Sequence, residues 1–329
     1  MSINQIDLIQ EIFEICTEEQ FNETALKVYQ YQLSNIQIYR DFVKLVGREH
    51  PKHYSEIPFL PISFFKNSKI IATGKSEEIL FQSSGTTGSI RSKHYVADVT
   101  IYEQSFSKAY KQLIGDPTDQ VILALLPNYL EQGNSSLVYM VDQLIKQTNN
   151  ELSGFLLDDL EQIETRYLQA KASGKKIIIF GVSYALLDLA SKNIDLSQAL
   201  IIETGGMKGR RKELSKSELH KELQKGLNVP YIASEYGMTE LLSQGYSNKN
   251  GIFKTPNWMK IFLRDINDPF SQPQTGKTGG INIIDLANIH SCAFIATEDL
   301  GKITPEGFQL MGRIDLSDIR GCNLLLHQD

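Results

Sequence analysis

The chain has 329 residues, 41% of them hydrophobic and 22% charged, and its 33 basic and 39 acidic side chains give a formal net charge of −6. That composition belongs to a globular protein with room for a sizeable core, and it lacks the basic excess that nucleic acid or an anionic membrane surface selects. No apolar run nears the ~20 residues that span a bilayer, the N-terminus carries no leader-like signals, and Cys16, Cys292 and Cys322 fit neither a disulfide framework nor a zinc pattern. A cytoplasmic enzyme is the expectation.

Helical spacing of apolar residues covers 5–47, from Ile6, Ile9 and Phe13 to Val28 and Tyr29. Pro51, Pro58 and Pro61 then break the helices and deliver an irregular apolar segment ending Phe64-Phe65-Lys66. Strand-like runs at 78–82, 121–126, 176–180, 199–203 and 230–233 alternate with helix-like runs at 100–114, 135–147, 160–173 and 212–227. This rhythm predicts an α/β fold with a largely parallel sheet. From about 252 the pattern shifts to short strands and turns, which reads as a smaller β-rich subdomain.

Three loops carry candidate chemistry. Ser83, Ser84, Gly85, Thr86, Thr87 and Gly88 follow the first of those strands. Their glycines admit close backbone approach and their hydroxyls add donors, as a phosphate site needs. An ordinary Ser/Thr/Gly turn has the same composition. Tyr236-Gly237-Met238-Thr239-Glu240 follows the last of the strands, placing a ring, a hydroxyl and a carboxylate in sequence, a set that suits a base, a phosphate and a metal. A strand–turn–helix corner would look the same. Thr297-Glu298-Asp299-Leu300-Gly301 and Gly312-Arg313 offer a carboxylate for ribose hydroxyls and a guanidinium for phosphate or ribose, where two plain turns are the alternative. Gly74-Lys75-Ser76 lacks the upstream glycine of a Walker loop, since Lys69 stands there. Gly181-Val182-Ser183-Tyr184-Ala185 approximates a hydrolase nucleophile elbow with its last glycine replaced, and Ser183 remains a minor alternative.

In this order the loops resemble the core motifs of the adenylate-forming superfamily. Glu203 to Arg211, the segment ending in Phe-Phe-Lys, and Asp318 to Leu324 are similar to the fatty acyl-protein synthetases of bacterial bioluminescence operons. The resemblance implies a large adenylate-forming domain of mixed and parallel sheets with helices and a small β subdomain, at 56–312. Helices at 1–55 would pack on it, a tail at 313–329 would carry Cys322, and the superfamily's usual C-terminal domain would be missing. It implies ATP and Mg²⁺ as cofactors, a carboxylic and specifically fatty acid as substrate, and an acyl reductase or acyltransferase as protein partner.

By the same resemblance, Ser83 to Gly88 hold phosphates, Thr239 contacts the α-phosphate, and Glu240 binds the metal. Tyr236, with Gly237 beside it, lies against adenine opposite Gly205-Gly206, Asp299 binds ribose, and Arg313 marks a hinge. Where the superfamily has a phosphate-loop lysine, Arg91 or Lys93 must substitute. The acyl group would pass to Cys322, with Arg320 and His327 as nearby cations to favour its thiolate. Ligases of the phenylacetate-CoA type share the core motifs and supply the alternative, acyl transfer to CoA or a carrier.

Overall fold

The computed structural model describes residues 5–84, 90–127, 134–157, 159–205, 214–247, 250–274 and 276–314. It opens with α1 (Gln5–Phe13), α2 (Glu18–Asn35) and α3 (Gln37–Val46). Thr17 and Gln20 cap α2 reciprocally, each side chain taking the other's backbone N–H. The prolyl segment then supplies a short strand, β1 (Leu60–Pro61), and a single helical turn, α4 (Phe64–Asn67). A separate antiparallel hairpin follows, β2 (Ile79–Gln82) and β3 (Lys93–Val96).

Next comes the alternating part: α5 (Val99–Leu113), β4 (Gln120–Leu125), α6 (Ser136–Thr148), β5 (Gly154–Phe155), α7 (Glu161–Ala172), β6 (Lys176–Gly181), α8 (Ser183–Ala190), β7 (Ala199–Glu203), α9 (Lys216–Leu227) and β8 (Ala233–Tyr236). Every residue of β4 is buried, as a strand covered by helices on both faces must be. The remaining strands are β9 (Gly245–Ser247), β10 (Phe253–Lys254), β11 (Met259–Arg264), β12 (Gly279–Asp285), β13 (Phe294–Thr304) and β14 (Gly307–Arg313).

One sheet joins both halves in the order β11-β12-β13-β14-β10-β9-β8-β7-β6-β4-β5, with β1 parallel on β13. Strands β5, β4, β6, β7 and β8 run parallel, and pairing turns antiparallel at β8–β9. The expected β-rich subdomain is therefore continuous with the main sheet. One expectation and one alternative reading need correcting. The strand placed at 230–233 starts at Ala233, because Pro230 has no N–H to donate to a ladder. The turn-like composition at 297–301 lies inside the eleven-residue β13, where a register shift between Leu300 and Gly301 absorbs it.

The N-terminal helices are bonded to the sheet by buried polar contacts. Gln32 of α2 donates to the carbonyls of Asn288 and Ile289, both at 3.0 Å, and accepts from the Ala293 N–H at 3.1 Å. Tyr31 meets His290 at 3.0 Å. Trp258, the single tryptophan, stands edge-on to Phe13 of α1 and gives its Nε1–H to the hydroxyls of Ser105 and Ser243 at 3.1 and 2.9 Å. No helix among the described residues is long and apolar enough to cross a membrane.

Replacing Gln32 with leucine fills the same space but strands two carbonyls and one N–H in the interior. A loss of about 2 kcal/mol or more is expected, read as a lower midpoint in urea unfolding with an unchanged slope.

Candidate active site

The β2–β3 hairpin closes its open end with hydroxyls. The Ser83 N–H donates to the Ser92 carbonyl at 3.0 Å, and the Ser92 N–H donates to Ser83 Oγ at 3.0 Å. Below this, Phe81 is buried against Tyr102 and Tyr139. Ser84 is exposed at the mouth, while Gly85, Thr86, Thr87 and Gly88, and likewise Gly206 and Cys322, lie outside the described residues. Strand alternation buries Ser92, His94 and Val96 and leaves Lys93 exposed on the other face; Arg91 is exposed as well.

The second loop leaves β8 at Tyr236 and turns through Gly237 to Glu240, where a Cβ on Gly237 would stand 2.3 Å from a Glu235 carboxylate oxygen. Its backbone is held from outside. His94, buried in β3, places Nδ1 2.8 Å from the Thr239 carbonyl and Nε2 3.0 Å from Asn288 Oδ1, and Asn288 Nδ2 donates to the Glu240 carbonyl at 2.7 Å. Burial pushes the His94 pKa down to about 4, so the ring is neutral at physiological pH and its single proton is given to one of its two acceptors, the Thr239 carbonyl or Asn288 Oδ1. Next along the chain, the N–H groups of Leu242 and Ser243 donate to the buried Asp285 carboxylate at 2.7 and 2.9 Å. The Glu240 side chain is buried beside Ser92; burial raises its carboxyl above the usual range, and the Asp299 carboxyl adds to this.

Asp299, whose charge acts on that carboxyl, stands in β13. It accepts from the Tyr236 hydroxyl at 2.9 Å, and Arg313, its partner across β13–β14, places Nε 3.5 Å away. Arg313 also lies 3.2 Å from Glu298 and is largely exposed, so these contacts orient more than they stabilise. The Tyr236 ring is buried edge-on to Phe253 and Phe308. The structure thus brings Ser83, Ser92, Thr239, Glu240, Tyr236, Asp299 and Arg313 to one region and turns the Lys93 side chain off it. An apolar cavity of about 290 Å³ behind this wall is lined by Phe59, Phe262 and Phe270 and borders Glu298 rather than Glu240.

The C-terminal end of β7 carries a feature that sequence reasoning missed. The buried Glu203 carboxylate accepts from Ser183 Oγ at 2.8 Å, from the Gly205 N–H at 2.6 Å and from Ser234 Oγ at 3.2 Å, with Lys216 Nζ at 3.8 Å and His220 Nε2 at 3.9 Å. Burial alone would raise its pKa. The His220 contact, the Lys216 charge and the hydrogen bonds outweigh burial and hold it at about 2. The neighbouring Glu235 goes the other way, up to about 8, through burial and the Glu203 charge. Gly205 adopts φ +76°, a conformation glycine takes without strain, and this aims its N–H back at Glu203. Ser183 is therefore no nucleophile elbow: it begins α8 fully buried with its hydroxyl given to a carboxylate. A periodicity argument could read Glu203 only as a polar strand end, because its side-chain partners come from three other elements, α8, α9 and β8.

Comparison with known proteins shows the family and the fold. A family model described as acyl-protein synthetase, LuxE, matches residues 3–329. Among solved structures, 2-hydroxyisobutyryl-CoA ligase in an open conformation with 2-HIB-AMP and CoA superposes with a TM-score of 0.63 at 11% identity, over 92% of this chain and 72% of the ligase. The same ligase in its postadenylation state gives 0.65 at 10% identity, over 91% and 68%. Apo MatB from Rhodopseudomonas palustris gives 0.51 at 17% identity, over 71% and 47%. No curated protein matches the chain. The fold is that of the adenylate-forming ligases.

Glu203 keeps its charge when folded far below the pH at which an unfolded glutamate takes up a proton. Its stabilisation is therefore present above about pH 4.5 and lost as the pH falls towards 2. Glu203→Gln is expected to cost about 3 kcal/mol at pH 7, and urea titrations should show the gap from wild type narrowing between pH 5 and 3.

Proposed function

Because this chain belongs to the acyl-protein synthetase family described as LuxE, we propose that it activates a fatty acid with ATP and passes the acyl group to its own Cys322. One observation carries the reading. The Glu240 carboxyl is buried beside Ser92 of the hairpin and feels the charge of the Asp299 carboxyl, which the Tyr236 hydroxyl holds from the start of the same turn. A nucleotide could lie along this set, with Asp299 accepting from its ribose hydroxyls, the hairpin donating to its phosphates and Thr239 contacting the α-phosphate.

A carboxylate oxygen of the acid bonds to the α-phosphorus, the bond from that phosphorus to the bridging oxygen breaks, and pyrophosphate leaves with the electron pair. Little covalent help is needed beyond positioning and charge neutralisation. The Cys322 thiolate then attacks the acyl carbon of the mixed anhydride, AMP leaves, and a thioester results. A reductase or acyltransferase would take the acyl group onward.

Mg²⁺ suits the donors present. Glu240 offers a buried hard-oxygen ligand whose ionised form is disfavoured by burial and so gains from a cation. Among the described residues no group of three or more His, Cys, Asp or Glu forms a cage, and Mg²⁺ is usually held by one or two carboxylates together with substrate phosphates. When bound there it would neutralise phosphate charge.

Two measurements test the reading. Intact mass after incubation with ATP, Mg²⁺ and a panel of acids should show an ATP-dependent acyl adduct on wild type and none on Cys322→Ala; an adduct on both, or acyl groups appearing on added CoA instead, would refute transfer to Cys322. Asp299→Ala should raise the KM for ATP in pyrophosphate exchange by about tenfold or more, the loss of a charge-assisted hydrogen bond of 1.5–3 kcal/mol; an unchanged KM would remove Asp299 from the nucleotide.

A further inference from the structure

An adenylation site needs a cation close to the phosphorus that is attacked. Lys93 projects from the opposite face of β3 to Ser92 and His94, the side chains turned toward the Thr239–Glu240 turn. Arg91 is exposed beyond the end of that strand. Lys66, on α4, is a cation whose charge acts on Glu240 of that turn.

Lys66 is the third residue of α4, and this turn is clamped at both ends. On one side, Leu60 and Pro61 pair with Ile295 and Ala296 of β13, and the Ile62 N–H donates to the Ala296 carbonyl at 2.9 Å, three residues before Asp299. On the other, Phe65 is buried with its ring perpendicular to His94, centroids 5.7 Å apart, and His94 is bonded to Thr239. The turn thus bridges the strand of Asp299 and the strand of His94, the two walls of the site. Its lysine is exposed and makes no ion pair among the described residues, and its charge acts on Glu240, favouring the ionised carboxylate.

We infer that Lys66 is a catalytic residue of the adenylation step, its ammonium contacting the α-phosphate oxygens from the turn that joins the two walls. This rests on the proposed adenylation. As the acid's oxygen bonds to phosphorus and pyrophosphate departs, negative charge spreads over the non-bridging oxygens. A fixed ammonium stabilises that charge without giving up a proton. Lys66 would do here what Arg91 and Lys93 were expected to do.

The test is ATP–pyrophosphate exchange with an acid that labels wild type, together with calorimetric binding of ATP and thermal midpoints. Lys66→Ala is expected to lower kcat about 100-fold or more with its midpoint unchanged, while Lys66→Arg recovers most of the rate. Lys69→Ala, whose ammonium is tied to Glu77 at 2.6 Å, should behave as wild type. The assignment falls if Lys66→Ala exchanges normally while Arg91→Ala or Lys93→Ala does not. It falls equally if Lys66→Ala loses rate only in step with a lowered midpoint and arginine gives no rescue. Absence of exchange in wild type with every acid would overturn the adenylation reading and this assignment with it, whereas failure of Lys66 alone leaves adenylation standing.

Discussion

A buried imidazole and a buried amide hold the site in shape. The turn from Gly237 to Glu240 belongs to no helix or strand, so its carbonyls need partners from elsewhere. His94 and Asn288 provide them for Thr239 and Glu240, and they arrive from segments 145 and 48 residues distant. Asn288 is in turn held by its own carbonyl, which accepts from Gln32 of α2. The N-terminal helices, the hairpin and the central turn are thereby locked to one another through a few hydrogen bonds in a dry interior, where each is costly to lose.

Sheet topology decides what these bonds have to organise. Parallel strands end together on one edge, and in open α/β sheets ligands gather at that carboxyl edge. Here the edge runs from Glu203 at the end of β7 to Tyr236 at the end of β8, and the sheet then reverses into antiparallel pairing. The reversal matters because β13 can then present Asp299 towards Tyr236. Two electrostatic regimes result on either side of β8. Glu203 is kept charged by donors and cations, whereas Glu240 and Asp299 are held by burial at raised pKa.

What the sequence revealed and what it hid divide along a physical line. Strands such as β4 and β7 were legible because burial and period are properties of a few consecutive residues. Ser83, Glu240 and Asp299 could be singled out as candidates because their side-chain chemistry stands beside glycines and hydroxyls in the sequence. His94 could not be, since a single histidine in a strand says nothing until the distant Thr239 meets it. Lys66 was visible as the end of an apolar segment, but its placement depends on Ala296 and His94, which only the tertiary fold brings to α4. The same limit let composition suggest turns at 297–301, where pairing with β12 and β14 makes a strand.

Trp258 gives this arrangement an optical consequence. The chain has a single indole, buried and hydrogen-bonded to Ser243, which itself donates to Asp285 at 2.6 Å directly after the Tyr236–Glu240 segment. Its emission therefore comes from one environment, and a shift in the Ser243 hydroxyl alters the dipoles around it. The protein carries a native fluorophore wired to its central turn, and a change in that turn should reach the fluorescence spectrum without any label.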